Sequence, residues 1–209
     1  SYCPLCGTGM VFNPMVKGDQ LEFGVSGLLY NNDLLMYDRN TNSLWSQMEG
    51  RAISGPLKGA RLERLPVEHT TWRTWRERHP STLVLSGDTG FYRNYGASPY
   101  PAYNKSRRIL FPLSNYDKRY HPKEMVIGVE FRNVSKAYPF AELARGKTPF
   151  TDTVNGEVLS IEYNAESRSA RVIDDKGKVL AAVTAYWFAW MAFHPNSEVY
   201  IFEDSRAAE

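Results

Sequence analysis

Apolar and polar residues alternate along several stretches of the chain. Residues 9–13, 20–30 and 34–38 show this period of two, which is typical of strands with one buried face. The two asparagines at 31–32 separate two of these stretches and predict a tight hairpin turn. Further along, four more segments are predicted to be strands: residues 158–164, 170–174, 178–183 and 198–203. The pattern predicts a mainly antiparallel β-sheet.

Three short segments have the spacing of helices instead. In residues 67–80, Trp72, Trp75 and His79 fall on one helical face, and Pro80 ends the segment. Residues 135–147 predict a second helix with a glycine near its end, and residues 183–195 a third that is apolar almost all round. The predicted fold class is therefore α+β, with about three short helices.

Two of these segments repeat one motif. The stretches WRTWRERHPSTLVL (72–85) and WFAWMAFHPNSEVY (187–200) share the pattern W-x-x-W-x-x-x-H-P-x-[ST]-x-V. This internal pseudo-repeat predicts a single domain over 1–209, built from two related halves at about 1–86 and 127–209. Residues 87–126, rich in tyrosine and proline, join the halves, and we call them the connector.

Composition excludes several classes of function. The chain has 209 residues, and its 25 Lys and Arg nearly balance its 23 Asp and Glu, which argues against nucleic acid as a partner. No apolar run approaches the ~20 residues of a membrane-spanning helix, so no membrane span is predicted. The common sequence motifs of hydrolases and phosphate-binding loops do not occur, so whether the protein is an enzyme is left open.

The only two cysteines stand in the segment CPLCG, residues 3–7, which we call the knuckle. A redox dithiol normally precedes a helix, whereas GTGMVF here predicts a turn entering a strand. A disulfide across so small a loop would add little stability. The pattern C-P-x-C-G resembles the metal-binding knuckles of rubredoxins and zinc ribbons. Metal binding is therefore the first interpretation, and the other two stay open.

Residues that occur in only one copy of the repeat are candidates for function. Cys3, Cys6 and His69 have no counterparts in the second copy. The dipole at the start of a helix would keep the His69 ring neutral, as a metal ligand must be. We therefore predict one metal ion held by Cys3, Cys6 and His69, with copper favoured over zinc because two thiolates and one imidazole suit it. Reserve ligands are His194, His121, Met10 and Met15. Alternatively, a dimer would pool two knuckles into one site.

The chain as a whole resembles a bacterial and archaeal family catalogued as domain of unknown function 3179. The resemblance rests on the segments YCPLCGTG, FGVSGLLYNNDLLMYDR, SLWSQ, GPLKG, HTTW, HPSTLVLSGDTGFYRNYG and WFAWMAFHP. It implies a periplasmic or cell-envelope location, with the cytoplasm as the alternative. It also implies that an N-terminal portion is missing, because members usually carry a segment similar to VEFRNVSKAYPFAEL before the knuckle.

Three functions follow from these observations. The first is a metal-binding protein that serves in metal handling or electron transfer. The second is a thiol–disulfide protein in which Cys3 attacks and Cys6 resolves. The third is a non-catalytic binding module whose tyrosine-rich connector holds a glycan or a protein partner.

Overall fold

A computed structural model describes residues 1–204, and the last residues of the predicted second half lie outside this range. Strands dominate, and they are β1 (Tyr2–Cys3), β2 (Thr8–Gly9), β3 (Val11–Asn13), β4 (Met15–Val16), β5 (Asp19–Gln20), β6 (Phe23–Tyr30), β7 (Asp33–Asp38), β8 (Leu44–Ser46), β9 (Arg51–Ser54), β10 (Glu63–Leu65), β11 (Met125–Phe131), β12 (Val134–Pro139), β13 (Phe150–Val154), β14 (Glu157–Asn164), β15 (Ser169–Asp174), β16 (Val183–Tyr186) and β17 (Glu198–Val199). The helices are α1 (Trp72–Arg78), α2 (Phe140–Leu143) and α3 (Trp187–Phe193). The predicted α+β class, mainly antiparallel with three short helices, is confirmed.

The first half is built on an antiparallel meander in the order β6-β7-β8-β9. Its first hairpin closes through Asn31 and Asn32, as the sequence predicts, and both residues have positive φ (52° and 65°). Asparagine tolerates this left-handed backbone better than most residues do, so two asparagines suit the turn. The turn fixes the register of Tyr30 against Asp33, and Asp33 begins β7 as a buried residue.

The second half contains a sheet in the order β16-β11-β12-β17 and a three-stranded sheet, β13-β14-β15. Helix α3 packs on the first of these, where a Cβ atom added to Gly128 would lie 2.4 Å from the Trp190 ring. Only a glycine allows the helix to approach the strand so closely. The apolar face of α3 is therefore buried, as its composition predicts.

Two predicted elements were wrong in detail. Residues 135–139 belong to strand β12 rather than to a helix, and only Phe140–Leu143 is helical. Pairing with β11 along the whole hairpin outweighs the local helical preference of this segment. Likewise, residues 183–186 form β16 and not the first turn of α3. A continuous apolar run has the same appearance in a buried strand and a buried helix.

The first W-x-x-W segment folds as a short helix closed by its histidine. Thr71 caps α1 by accepting a hydrogen bond from the Thr74 N–H, and the His79 N–H donates to the Trp75 carbonyl. The Trp75 and His79 rings lie 4.1 Å apart, and the Trp75 Nε1–H donates to Thr82 Oγ1 at 3.1 Å.

The second segment repeats this local geometry. The Trp190 and His194 rings stack at 4.0 Å, and Trp190 Nε1–H donates to Ser197 Oγ at 2.9 Å. The surroundings differ, because α3 is almost wholly buried whereas no residue of α1 is. The shared motif thus sets the local conformation. The descent of both halves from one duplication stays a prediction.

Three clusters of buried apolar residues form the core, and the largest includes both cysteines together with most of α3. The knuckle thus lies against the central helix of the second half. Within residues 1–204, none of the helices is both long and apolar enough to cross a membrane.

Candidate functional site

The knuckle is a turn held between two short strands. Cys3 pairs with Thr8 in the β1–β2 ladder, so the chain folds back within a few residues. Gly7 has a positive φ of 61°, and a Cβ atom there would lie 2.8 Å from the Tyr186 ring. The Tyr186 N–H donates to the Cys6 carbonyl at 2.8 Å, which ties the knuckle to β16. Both thiols are consequently buried, with Cys3 and Cys6 only 1% and 0% exposed.

A third possible ligand comes from the β6–β7 hairpin. The ligand atoms of Cys3, Cys6 and Asp33 all lie within 4.8 Å of one another. Met48 N–H donates to Asp33 Oδ2 at 3.0 Å, which orients the carboxylate. The main-chain oxygen of Asn32 lies within hydrogen-bond distance of both sulfurs, 3.3 Å from Cys6 Sγ and 3.8 Å from Cys3 Sγ. The β6–β7 turn thus packs directly against the two cysteines of the knuckle.

The three acidic groups perturb one another strongly. A hydrogen bond from Cys6 lowers the pKa of Cys3 to about 6, although burial opposes this. The same bond raises the pKa of Cys6, and burial and the charge of Asp33 add to the rise. Burial, followed by the charge of Cys3, raises the pKa of Asp33. Without a cation, the three groups cannot all be charged at neutral pH, because like charges in a buried site disfavour ionisation.

Several buried polar atoms, some of them beside the cysteines, have no hydrogen-bond partner among the described residues. In residues 1–204 these atoms are Thr8 Oγ1, Asp33 Oδ1, Gln47 Oε1, Thr70 Oγ1 and Tyr103 OH. Thr8 lies opposite Cys3 in the β1–β2 ladder, and Gln47 donates to the Thr8 carbonyl. The pKa of Tyr103 is raised first by burial and then by Cys6, among other neighbours. An unpartnered buried polar atom costs about 1–3 kcal/mol, and a polar ligand, an ion or water beside Thr8, Asp33 and Tyr103 would reduce this cost.

His69 lies apart from the three grouped ligand atoms. Its Nε2 accepts a hydrogen bond from the Gly9 N–H at 2.9 Å. Burial lowers the pKa of His69 and so favours the neutral ring, and the Gly9 carbonyl, 3.3 Å from Nε2, opposes this only partly. The cause is burial and not a helix dipole, because α1 begins at Trp72 and is capped by Thr71. Ligation of a metal by His69 stays a prediction.

The reserve ligands lie in other environments. His194 stacks on Trp190, and its Nε2 is 3.9 Å from Glu130 Oε2. His121 accepts from the Lys123 N–H through Nδ1 at 3.1 Å. Met10 belongs to the buried cluster that contains both cysteines, whereas Met15 is 47% exposed. Among the described residues, neither His194 nor His121 belongs to the group formed by the cysteines and Asp33.

The connector crosses the molecule close to the knuckle. Tyr103 belongs to the buried cluster of the cysteines, whereas Tyr92 is 92% exposed. Lys123 Nζ donates to the carbonyls of Ser106 and Arg108 and lies 4.3 Å from the centre of the Tyr103 ring. Burial lowers the pKa of Lys123 to about 8. Lys123 therefore holds residues 103–108 of the connector against the core.

Sequence reasoning missed Asp33. The residue follows the Asn31–Asn32 turn and opens an apolar strand, DLLMYD. A carboxylate at the buried end of a hairpin was the available signal, because an ionisable residue is seldom fully buried without a partner. Its proximity to Cys3 arises from tertiary packing across 30 residues of chain, which no local pattern reports.

Comparison with known proteins gives a family but no activity. No curated protein and no solved structure matches the chain. The model of the family described as "Protein of unknown function (DUF3179)" matches residues 1–197. Because this match covers nearly all of the sequence, the chain belongs to the DUF3179 family.

Proposed function

We propose that this protein binds one metal ion through Cys3 Sγ, Cys6 Sγ and a carboxylate oxygen of Asp33. The observation that carries the proposal is the grouping of three ligand atoms within 4.8 Å of one another, all from buried residues. No described residue donates a hydrogen bond to Asp33 Oδ1, so the carboxylate has a free acceptor. A divalent cation would offset the mutual repulsion of the three anionic groups.

The donor set favours zinc as the ion. Zinc accepts both thiolate and carboxylate ligands, at about 2.3 Å and 2.0–2.2 Å respectively. The sequence favours copper because this metal suits two thiolates and an imidazole, but the third grouped donor is a hard carboxylate oxygen. Copper therefore becomes the competing ion in the test.

The first experiment measures metal content and donor type. Protein purified without an affinity metal is analysed for zinc and copper and is then titrated with Co(II), whose spectrum reports thiolate ligation. We expect one bound equivalent and a thiolate-to-cobalt absorption band that zinc displaces. Cu(I) competition then ranks the two metals.

Matched variants assign the ligands. Cys3→Ser and Cys6→Ser should each lower the affinity for zinc by at least about 100-fold, as loss of one of three protein ligands implies. His121→Ala, which alters a histidine outside the group, should leave the affinity unchanged. Equal zinc retention by the double Cys→Ser variant would refute the proposal.

A thiol–disulfide function is the second candidate, and the lowered pKa of Cys3, about 6, favours it. In that reaction Cys3 thiolate attacks a disulfide of a substrate and releases one thiolate. Cys6 then attacks the mixed disulfide, so the pair loses two electrons and the substrate disulfide gains them. Burial of both sulfurs weighs against this function, because an attacking thiolate must reach its substrate. A reversible potential in metal-free protein, with no metal uptake, would favour it over metal binding.

A further inference from the structure

Asn32 connects the candidate metal site to the connector. Its main-chain oxygen lies 3.3 Å from Cys6 Sγ and 3.8 Å from Cys3 Sγ. Its side chain forms two hydrogen bonds with the backbone of Phe111, one donated by Nδ2 to the carbonyl and one accepted by Oδ1 from the N–H at 3.3 Å. The residue is 1% exposed, so water does not compete for these contacts.

The two sulfur–oxygen distances fit a tetrahedral ion. With the usual zinc–sulfur and zinc–oxygen bond lengths, ligands at tetrahedral angles give a sulfur–oxygen separation of about 3.6 Å. The observed separations, 3.3 and 3.8 Å, lie on either side of this value. The Asn32 oxygen is therefore at ligand distance without a large rearrangement.

We propose that the main-chain oxygen of Asn32 is the fourth ligand of the ion, and that the Asn32 side chain transmits occupancy of the site to the connector at Phe111. This inference rests on the proposed metal function. An ion bound to the Asn32 carbonyl would restrict the motion of the whole residue, including its side chain. Because that side chain forms hydrogen bonds with the Phe111 backbone, metal binding would order the connector at Phe111. The site is then closed by protein atoms, as in structural zinc sites.

The neighbouring residue provides a matched control. Asn31 also has a positive φ, 52°, and its Oδ1 accepts from the Ser114 N–H at 2.8 Å. Its side chain therefore holds the connector as well, but no hydrogen bond joins its carbonyl to the cysteines among the described contacts. Asn31→Gly and Asn32→Gly each tolerate a positive φ and keep the main-chain carbonyl. Asn31→Gly removes the hydrogen bond to Ser114, and Asn32→Gly removes both hydrogen bonds to Phe111.

The test is hydrogen exchange by NMR at the Phe111 amide, with and without one equivalent of zinc. Zinc should slow this exchange by about 10-fold or more in the parent protein and in Asn31→Gly, because exchange there reports local opening. In Asn32→Gly zinc should still bind one equivalent but leave the amide unaffected. Equal slowing in Asn32→Gly, or no slowing in the zinc-bound parent protein, would overturn the transmission.

A second measurement tests the fourth ligand itself. If the Asn32 oxygen completes the coordination, azide added to the Co(II) form should not change its visible spectrum. A change with azide would show an open position and overturn this assignment, while leaving metal binding by the other three ligands in place. Failure of the protein to take up any metal would overturn the proposed function and this inference together.

Discussion

Strand β7 has a buried aspartate at each end, and the two carboxylates differ in how many hydrogen bonds they accept. Asp33 begins the strand, Asp38 ends it, and their exposed fractions are 1% and 0%. Asp38 accepts hydrogen bonds from Trp45 Nε1 at 2.9 Å and from the Thr41 N–H and hydroxyl. Asp33 accepts one hydrogen bond, from Met48 N–H, and within residues 1–204 its Oδ1 has no hydrogen-bond partner.

The pKa values follow from these contacts. Burial alone would raise the pKa of Asp38, but the hydrogen bonds from Trp45 and Thr41 outweigh burial and lower it. Burial and the charge of Cys3 raise the pKa of Asp33. A buried carboxylate with a full set of donors stabilises its own hairpin. A buried carboxylate that lacks these donors and lies next to two thiols is a candidate metal ligand. The free energy cost of burying its charge is offset when a cation binds.

The largest expected effect is the change in the free energy of unfolding when either aspartate of β7 is replaced by asparagine, and its sign differs between Asp33 and Asp38. Asp38→Asn should destabilise the protein by about 2–4 kcal/mol, because it places an amide N–H₂ against groups that already donate. Asp33→Asn should stabilise the metal-free protein by about 1 kcal/mol, because a neutral side chain replaces a carboxyl group whose charged form is disfavoured by burial and by Cys3. Urea unfolding of both variants in a chelator measures the difference. Destabilisation of similar size in both would show that the two carboxylates have the same structural role.

The next effect is the dependence of stability on pH. Because the pKa of Asp38 is lowered, its stabilising contribution is present above the unfolded value of 3.8 and is lost as pH falls through the folded value. Because the pKa of Asp33 is raised, the folded protein keeps a proton that the unfolded chain releases. The free energy of unfolding of metal-free protein should therefore fall as pH rises above 3.8.

Unfolding free energies measured from pH 3 to 7 separate these two slopes. Asp33→Asn should remove part of the decline above pH 3.8, the rest being due to Glu124, whose pKa burial also raises. Asp38→Asn should remove part of the loss below pH 3.8. An Asp33→Asn profile that keeps the whole decline would contradict the raised pKa.

The smallest expected effect comes from removing one hydrogen-bond donor of Asp38, which makes its environment more similar to that of Asp33. Trp45→Phe removes the Nε1–H donor to Asp38 Oδ2 and should cost about 1 kcal/mol. It should also raise the pKa of Asp38, as measured by carbon NMR of the carboxyl group. A pKa that stays lowered would mean that Thr41 alone holds the charge.

Much of the fold was predictable because it depends on local pattern. Alternation identified the β6–β7 strands, and the adjacent asparagines identified their turn. The W-x-x-W and H-P spacing identified α1 and α3. Strand β12 could not be recognised, because its residues 135–139 take their conformation from pairing with β11. The boundary between β16 and α3 was hidden in one continuous apolar run.

The candidate site was predictable only in part, for the same physical reason. The spacing of Cys3 and Cys6 is local and indicates their proximity directly. The third donor depends on which distant segment packs against the knuckle, and the comparison of the two copies led to His69. The structure groups Asp33 with the cysteines instead and places the His69 Nε2 against the Gly9 N–H.

The most direct test of the metal site is zinc affinity, measured by competition with a chromophoric chelator, in Asp33→Asn and His69→Ala. The account predicts that Asp33→Asn weakens zinc binding by about 100-fold or more, because a neutral amide is a poor ligand. His69→Ala should retain one equivalent at nearly unchanged affinity. Strong zinc binding by Asp33→Asn together with its loss in His69→Ala would contradict the account and restore the histidine as the third ligand.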